Sequence, residues 1–347
     1  MSDYEDDFII VGDDLLSSAL AYMLSLSSKR YSVTLVNSTP TFLKRYLFSP
    51  AIIRPLYELE NFSNKTLMQS QQLLQELYSL TESFDFYPLP FIFFFKNDLE
   101  LFNYVQHKFS LEQIQYSSLN SNSLIKEYPL LNIETNSKAI VVPNSWSCSD
   151  PHNLILTYKK LAEENNVYIY KTQKEISFDL KSESLLINGN SFNAKNTFFI
   201  TNPSTFEGVE TNSTETLLLT TPIIEFFPKI GLKNCSSSLE LWLEQTGHLH
   251  LYKELRNDLR KEDMLTEING EFLELFPDIS ELRIMDNLLI PTLTKKSVKR
   301  LPTTLSSKVS YSYLPLNMET TIAPSFARQL VETLNANQGR LPSFWSF

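Results

Sequence analysis

The stretch Phe8-Ile9-Ile10-Val11-Gly12-Asp13-Asp14-Leu15-Leu16-Ser17-Ser18-Ala19-Leu20-Ala21 decides the fold of this chain. Its apolar start predicts a buried strand, Gly12 predicts a tight turn, and the residues after it predict the beginning of a helix. A second apolar segment, Tyr31-Ser32-Val33-Thr34-Leu35-Val36-Asn37, predicts a parallel partner strand. Together the two segments form a strand–helix–strand unit of the kind that binds dinucleotides.

The glycine content of this unit is low for a dinucleotide site. The whole chain has 7 glycines in 347 residues, about 2% against a usual ~7%. A dinucleotide-binding turn follows the pattern G-x-G-x-x-G, whose glycines make the turn, admit the pyrophosphate and let the helix pack on the strand. Only Gly12 is kept here, with Asp14 and Ser17 at the other two positions.

These replacements change the electrostatics of the turn. Asp14 places a carboxylate where a doubly charged pyrophosphate would lie. Two unit charges about 4 Å apart repel by ~4 kcal/mol at an effective dielectric constant near 20, whereas a helix N-terminus stabilises an anion by only ~0.3–2 kcal/mol. Asn37 stands where such sites carry an acidic ribose ligand, so a hydrogen bond there lacks charge assistance. A weakened nucleotide site and an ordinary turn, whose helix is capped by Asp13 or Asp14, both remain open; we favour the capped turn.

The composition argues against several classes of function. The chain has 30 basic and 40 acidic side chains and a net charge of −10, without a basic cluster, so nucleic acid is not an expected partner. Cys148 and Cys235 are isolated, which indicates neither a disulfide framework nor a zinc site. The acidic N-terminus does not resemble a signal peptide, and the apolar run 86–95 is too short to cross a bilayer. We therefore expect a cytoplasmic protein without a membrane span, in which this run forms buried strand.

Segments spread along the chain resemble one enzyme superfamily. They are Ala51-Ile52-Ile53-Arg54-Pro55-Leu56-Tyr57, Glu127-Tyr128-Pro129 and Ala323-Pro324-Ser325-Phe326-Ala327, in addition to the first strand–helix–strand unit. In their order and spacing they resemble the FAD-dependent amine and amino-acid oxidoreductases of the D-amino-acid oxidase superfamily, most of all the branch of monomeric sarcosine oxidase and fructosyl-amine oxidase.

The resemblance implies an α/β fold of two interleaved domains. A Rossmann-like, FAD-binding-type domain is expected from residues 5–80, 138–222 and 288–347. An inserted substrate-type domain with an antiparallel sheet is expected from residues 81–137 and 223–287.

The resemblance also implies a chemistry from which this chain departs. It implies FAD as the cofactor, hydride transfer from an amine substrate to the flavin, and Arg54 as the ligand of a substrate carboxylate. The segment Leu314–Ile322 corresponds to a glycine-rich loop that closes over the flavin, but it contains no glycine. Ile322 stands near the place of a substrate-binding lysine, and the cysteine expected near Leu289–Thr292 for covalent flavin attachment is missing.

Two functions follow from these observations. The favoured one is a degenerate, non-catalytic relative, or pseudoenzyme, without a cofactor or a catalytic residue. It would bind a protein partner or a small anionic ligand, as the Rab GDP-dissociation inhibitors use a related fold to bind proteins. The alternative is an active FAD-dependent oxidoreductase that holds flavin through Gly12, Asp14, Ser17 and Asn37.

Two further sets of residues have more than one interpretation. Arg54 could hold a ligand carboxylate or pair with one of the chain's own acidic side chains. His248 and His250 are interpreted as edge-strand histidines rather than metal ligands, because no third ligand stands at a suitable spacing. No metal site is therefore expected.

Overall fold

The structure is a computed structural model that describes residues 5–38, 52–59, 62–148, 151–172, 176–179, 182–200, 210–221, 230–237, 239–243, 249–254, 261–279, 286–300, 309–312 and 316–336. Within these ranges the helices are α1 (Leu15–Ser25), α2 (Asn64–Thr81), α3 (Leu99–Leu111), α4 (Ser121–Glu127), α5 (Pro151–Glu164), α6 (Lys261–Leu275) and α7 (Leu316–Ala336). The strands are β1 (Asp6–Val11), β2 (Val33–Ser38), β3 (Ile52–Ile53), β4 (Phe86–Pro88), β5 (Phe91–Phe95), β6 (Ser117–Asn120), β7 (Lys138–Val142), β8 (Trp146–Cys148), β9 (Tyr168–Thr172), β10 (Ile176–Asp179), β11 (Ser184–Ile187), β12 (Asn190–Phe192), β13 (Ala194–Ile200), β14 (Glu210–Thr221), β15 (Gly231–Asn234), β16 (Leu239–Leu243), β17 (Leu249–Glu254), β18 (Asp286–Arg300) and β19 (Val309–Ser312).

A five-stranded parallel sheet in the order β19-β13-β1-β2-β9 contains the strand–helix–strand unit predicted from the sequence. Helix α1 lies over this sheet and packs against α5 and α7. On the other face, side chains of the three-stranded sheet β10-β11-β12 pack against Ile9, Val11 and Val36. Because both faces are covered, Ile9 and Ile10 are fully buried, as expected of a parallel sheet. The pair Asn188-Gly189 predicts a hairpin turn. The turn between β11 and β12 has positive φ at both residues (52° and 77°), which confirms this prediction.

An eight-stranded mixed sheet has the order β18-β14-β17-β16-β15-β5-β7-β6. Its strands pair antiparallel except for β15 and β5, which run parallel. Phe91–Phe95 is buried throughout, so the prediction of a buried strand is confirmed for this part of the run 86–95. The first part is a separate strand, β4, which pairs with β8 in a small three-stranded sheet. His250 lies in β17, which pairs with β14 and β16, so its interpretation as an edge-strand residue was wrong.

The predicted domain boundaries stay a prediction. The membership of strands in the two large sheets differs from the predicted domain ranges at three strands. The strands β7, β14 and β18 belong to the eight-stranded sheet, although residues 138–222 and 288–347 were assigned to the Rossmann-like domain. The chain passes between the sheets without a linker segment of distinct composition. The sequence therefore carries no local mark of these crossings.

Helix α7 begins earlier than the sequence indicates. The apolar spacing of Phe326, Leu330 and Leu334 predicts a terminal helix over Ile322–Leu334, and the resemblance implies a loop over Leu314–Ile322 before it. The structure is helical from Leu316, and Pro324 lies inside the helix. Proline normally ends or kinks a helix, and residues 319–327 are buried on all sides and so show no amphipathic period. Leu314 and Pro315 lie outside the described residues. Among the described helices none is long and apolar enough to cross a membrane.

Candidate functional site

Gly12 directly follows β1, at a point where Ile200 of β13 and Ser17 of α1 lie very close to its backbone. A Cβ atom at this position would lie 2.4 Å from the carbonyl oxygen of Ile200 and 2.8 Å from the Cβ of Ser17. Real Cβ atoms essentially never come this close, so the backbone would have to shift. The requirement for glycine at this turn is therefore explained by the packing of β13 and α1 around it.

Asp14 is the N-cap of α1. Its carboxylate accepts a hydrogen bond from the backbone N–H of Ser17 at 2.7 Å, and the Ser17 hydroxyl accepts one from the backbone N–H of Asp14 at 3.0 Å. This reciprocal pair is a capping box. The structure confirms the predicted capped turn and assigns the cap to Asp14.

A second carboxylate reaches the same helix end from α7. Glu319 Oε1 accepts hydrogen bonds from the backbone N–H groups of Leu15 at 2.9 Å and Leu16 at 3.4 Å. The side chains of Asp14 and Glu319 are both buried. The first N–H groups of a helix have no partner within the helix, and here the first three all donate to carboxylates. No feature of the sequence points to Glu319, which lies 304 positions from Leu15.

The turn does not fit a dinucleotide phosphate. A pyrophosphate at a helix N-terminus uses these same backbone N–H groups. In this chain they are bonded to two carboxylates, which would repel the phosphate as well as block it. The predicted cofactor positions Gly12, Asp14 and Ser17 do lie together, but Asp14 and Ser17 bind each other.

Asp13 and Asn37 lie beside the turn. Asp13 forms a buried ion pair with Lys159 of α5. Burial raises the pKa of Asp13 although Lys159 opposes this shift. Asn37 follows Val36 in β2, and its buried Oδ1 has no hydrogen-bond partner among the described residues. A role of Asn37 as a ribose ligand stays a prediction.

Arg54 is fully buried just after β3 and is bonded within the chain. Its Nη2 lies 2.6 Å from Glu240 Oε1 and 3.3 Å from Glu58 Oε1, and its Nη1 donates to the carbonyl oxygen of Pro55 at 3.0 Å. The guanidinium also lies 5.2 Å from the ring centre of Phe91. Of the two interpretations of Arg54, the structure shows pairing with acidic side chains of the chain itself.

Lys233 completes a cluster of four charges that we call the Arg54 cluster: Arg54, Lys233, Glu58 and Glu240. Lys233 Nζ lies 2.5 Å from Glu58 Oε1 and 2.7 Å from Glu240 Oε1. Burial alone would raise the pKa of Glu58, but Arg54 and Lys233 hold it at about 2. Burial alone would lower the pKa of Lys233, but Glu240 and Glu58 raise it. The cluster is neutral as a whole, so it has no net charge with which to attract an external carboxylate.

Helix α7 contacts both the N-terminus of α1, through Glu319, and the backbone of Arg54, through Thr321. Two residues after Glu319, the hydroxyl of Thr321 accepts a hydrogen bond from the backbone N–H of Arg54 at 3.2 Å and donates to the carbonyl oxygen of Ile52 at 3.1 Å. Ile322 is fully buried. The position that the resemblance gave to a substrate-binding lysine is thus part of the core.

The structure gives no support to a metal centre. In the described ranges, no group of three or more His, Cys, Asp and Glu side chains could hold a metal ion. The ring of His250 stacks on Trp242 with 5.1 Å between ring centres. His248 lies outside the described residues.

The comparisons with known proteins establish the fold. No protein-family profile and no curated protein matches the sequence. Among solved structures, L-proline dehydrogenase from P. horikoshii aligns with a TM-score of 0.77 at 13% identity, over 98% of this chain and 95% of that chain. Glycine oxidase from Geobacillus kaustophilus aligns with a TM-score of 0.75 at 12% identity, over 98% and 96%. L-alpha-glycerophosphate oxidase from Mycoplasma pneumoniae, solved with FAD bound, aligns with a TM-score of 0.68 at 16% identity, over 96% and 95%. The chain therefore has the α/β fold of these oxidoreductases across nearly its whole length, as the resemblance implied.

Proposed function

We propose that this chain is a degenerate member of the FAD-dependent amine and amino-acid oxidoreductase superfamily that acts as a binding or scaffold protein without catalysis. The shared fold supports the kinship, and it does not by itself decide the function. The assignment to the sarcosine oxidase branch stays a prediction. One observation carries the proposal: the N–H groups of Leu15, Leu16 and Ser17 donate to Glu319 and Asp14.

The Arg54 cluster supports the same conclusion from the substrate side. Arg54 is the substrate-binding residue that the sequence preserves, and Glu240 holds it at 2.6 Å. The resemblance places the cofactor's pyrophosphate at the N-terminus of α1 and the substrate's carboxylate at Arg54. Carboxylates of the chain itself bind at both of these places. A protein partner or a small anionic ligand would have to bind elsewhere on the surface or displace one of these glutamates.

The proposed location is the cytoplasm, and nucleic acid is not a proposed partner. Cys148 and Cys235 are free thiols, which is in keeping with a reducing compartment. The net charge of −10 disfavours binding to nucleic acid.

The second candidate is an active FAD-dependent oxidoreductase. It is favoured by one observation, the buried Oδ1 of Asn37, which could accept a hydrogen bond from a ribose hydroxyl. This function requires Glu319 and the carboxylate of Asp14 to leave the N-terminus of α1 first.

The flavin content and the cofactor response of the purified protein test the proposal. We expect no absorbance in the flavin region after gel filtration and no change of melting temperature with FAD, ADP or riboflavin. A ligand present at 100 times its dissociation constant would add about 2.7 kcal/mol to the stability, so binding would be visible. An upward shift with FAD and ADP would support the oxidoreductase instead, and a shift with riboflavin alone would show a flavin site without a phosphate site.

A further inference from the structure

The exposed face of α2 lies between two depressions of the protein surface. A groove of about 410 Å³ runs along its C-terminal half, where Leu73, Leu77 and Leu80 line it. A second depression runs along its N-terminal half, beside Met68. Both depressions reach Arg328 of α7, so they are continuous. We call the exposed face of α2 together with these two depressions the α2 surface.

Exposed apolar side chains are concentrated on the α2 surface. Of the nine large apolar residues that the described part of the chain exposes, four line it. They are Leu26 (56% exposed), Met68 (60%), Leu80 (73%) and Leu111 (68%). Contiguous apolar surface of this kind marks a site of contact with another molecule.

Two charges of opposite sign lie along one line of α2. Lys65 and Glu76 are both exposed, and neither forms an ion pair with another residue in the described part of the chain. Because 11 positions make almost three full turns, the two side chains leave the helix in nearly the same direction, about 16 Å apart along its axis. Gln72 lies between them and donates a hydrogen bond to Glu76 at 2.8 Å. The exposed face of α2 is therefore positive near its start and negative towards its end.

A face with this order of charges is complementary to a second copy of itself. A two-fold axis brings the same surface of two copies together and sets their α2 helices antiparallel. With the axis midway between positions 70 and 71, Lys65 lies opposite Glu76 of the partner subunit, and the contact occurs twice. We propose that the α2 surface binds a second copy of the chain in this antiparallel arrangement.

The same arrangement covers the exposed apolar residues. Met68 lies opposite Leu73 of the partner subunit, because both are three positions further along from the charged pair. Leu80 extends beyond the first turn of the partner's α2, where Leu111 of the partner subunit lines the second depression. The residue that is 73% exposed in the single chain thus meets an apolar wall.

The charge balance of the α2 surface favours a second copy over a partner of one charge. Each copy carries a net charge of −10, so two copies repel unless the faces in contact are close to neutral. Two basic and three acidic side chains line the two depressions, namely Lys65, Arg328, Glu76, Glu112 and Glu332. A strongly basic or strongly acidic partner would meet charges of its own sign on this surface.

Sedimentation velocity of the full chain tests this arrangement. We expect a dimer that forms as the concentration rises. Lys65→Glu and Glu76→Lys should each raise its dissociation constant at least tenfold, because each places like charges opposite each other at two symmetric contacts. The matched control is Lys126→Glu, which makes the same change of net charge at an exposed position on α4, away from the α2 surface. It should leave the dimer unchanged.

A mixture of the two charge variants gives the sharpest test. Equal amounts of the Lys65→Glu and Glu76→Lys chains should form a dimer as tight as that of the unmodified chain, because opposite charges meet again at both contacts. The double variant Lys65→Glu/Glu76→Lys should do so by itself. Such recovery also shows that the single variants are folded. Leu80→Glu should weaken the dimer independently of these charges, with Ile125→Glu on α4 as its control, since Ile125 is similarly exposed (52%).

Three outcomes would overturn the proposal. A monomer at every concentration would show that the chain does not associate with itself. A dimer that is weakened by none of Lys65→Glu, Glu76→Lys and Leu80→Glu would place the interface elsewhere. Single variants that are monomeric both alone and when mixed would exclude the antiparallel pairing. The self-association goes beyond the binding function proposed above, and it does not depend on whether the chain binds a nucleotide.

Discussion

The N-terminus of α1 and the Arg54 cluster both hold an internal carboxylate where the resemblance places an external anion, but they hold it by different means. At the helix end, Asp14 and Glu319 bind neutral backbone N–H groups, which other acceptors or water can also satisfy. In the Arg54 cluster, Glu240 and Glu58 neutralise two buried cations that have no access to water. A cap is worth about 1 kcal/mol, whereas removal of one partner from a buried ion pair costs about 3–5 kcal/mol.

The difference indicates which of the two places a few substitutions could open to an external anion. Two substitutions could reopen the helix end at a modest cost in stability. Opening the Arg54 cluster would leave unpaired charges in the core. We therefore expect that mutation can open the N-terminus of α1 to an external anion, but that it cannot open the Arg54 cluster without unfolding the protein.

The largest expected effect comes from Arg54→Ala. This change leaves the buried Glu240 and the half-buried Glu58 with only Lys233 as a partner, and we expect a loss of about 3–5 kcal/mol in the free energy of unfolding. The matched control is Arg328→Ala, which removes an exposed pair with Glu332 and should cost at most about 1 kcal/mol. Urea denaturation of both variants measures the difference. A small effect of Arg54→Ala would mean that Arg54 is available to an external anion after all.

Gly12→Ala should give the next largest effect. The added Cβ would meet the carbonyl oxygen of Ile200 at 2.4 Å, and we expect a loss of about 2–3 kcal/mol from the forced shift. Gly270→Ala is the control, because nothing lies within 4 Å of its added Cβ on α6. That change should stabilise the protein by about 0.5–1 kcal/mol. If both variants melt alike, close packing does not explain why glycine stands at position 12.

Acid titration should distinguish Glu58 from ordinary surface carboxylates. Its pKa is lowered to about 2 from an ordinary 4.5, so its contribution to stability is complete above pH 4.5 and is lost as the pH falls towards 2. Glu58→Gln should therefore be less stable than the unmodified chain at pH 7, with a difference on the order of 1–2 kcal/mol that shrinks below pH 4. Glu163→Gln, on the exposed face of α5, is the control. A stability difference that does not change with pH would show that Glu58 acts through packing rather than charge.

Local features of both places could be predicted from the sequence. A cap of α1 by Asp13 or Asp14 was predicted, because a helix start depends on near neighbours; the structure pairs Asp14 with Ser17, three positions on. The buried strand Phe91–Phe95 and the Asn188-Gly189 turn were predicted for the same reason.

The carboxylates that reach the two places from distant segments, Glu319 and Glu240, could not be predicted. Glu319 contacts Leu15 across 304 positions, and Glu240 contacts Arg54 across 186. Only the packing of distant helices and strands brings these residues together, and the sequence shows no such pairing. The early start of α7 was missed because residues 319–327 are all buried and show no amphipathic period, so Glu319 was placed in the loop that the resemblance implied.

A calorimetric titration with ADP tests the central claim most directly. The unmodified chain is compared with the double variant Asp14→Gly/Glu319→Ala, in which both carboxylates are removed from the N-terminus of α1. Asp98→Gly/Glu332→Ala is the matched control, because Asp98 caps α3 in the same way and Glu332 lies on the exposed side of α7. We predict that the double variant binds ADP at one site per chain, while the unmodified chain and the control bind none. Binding of ADP to the unmodified chain, with an affinity that the double variant does not improve, would contradict the account.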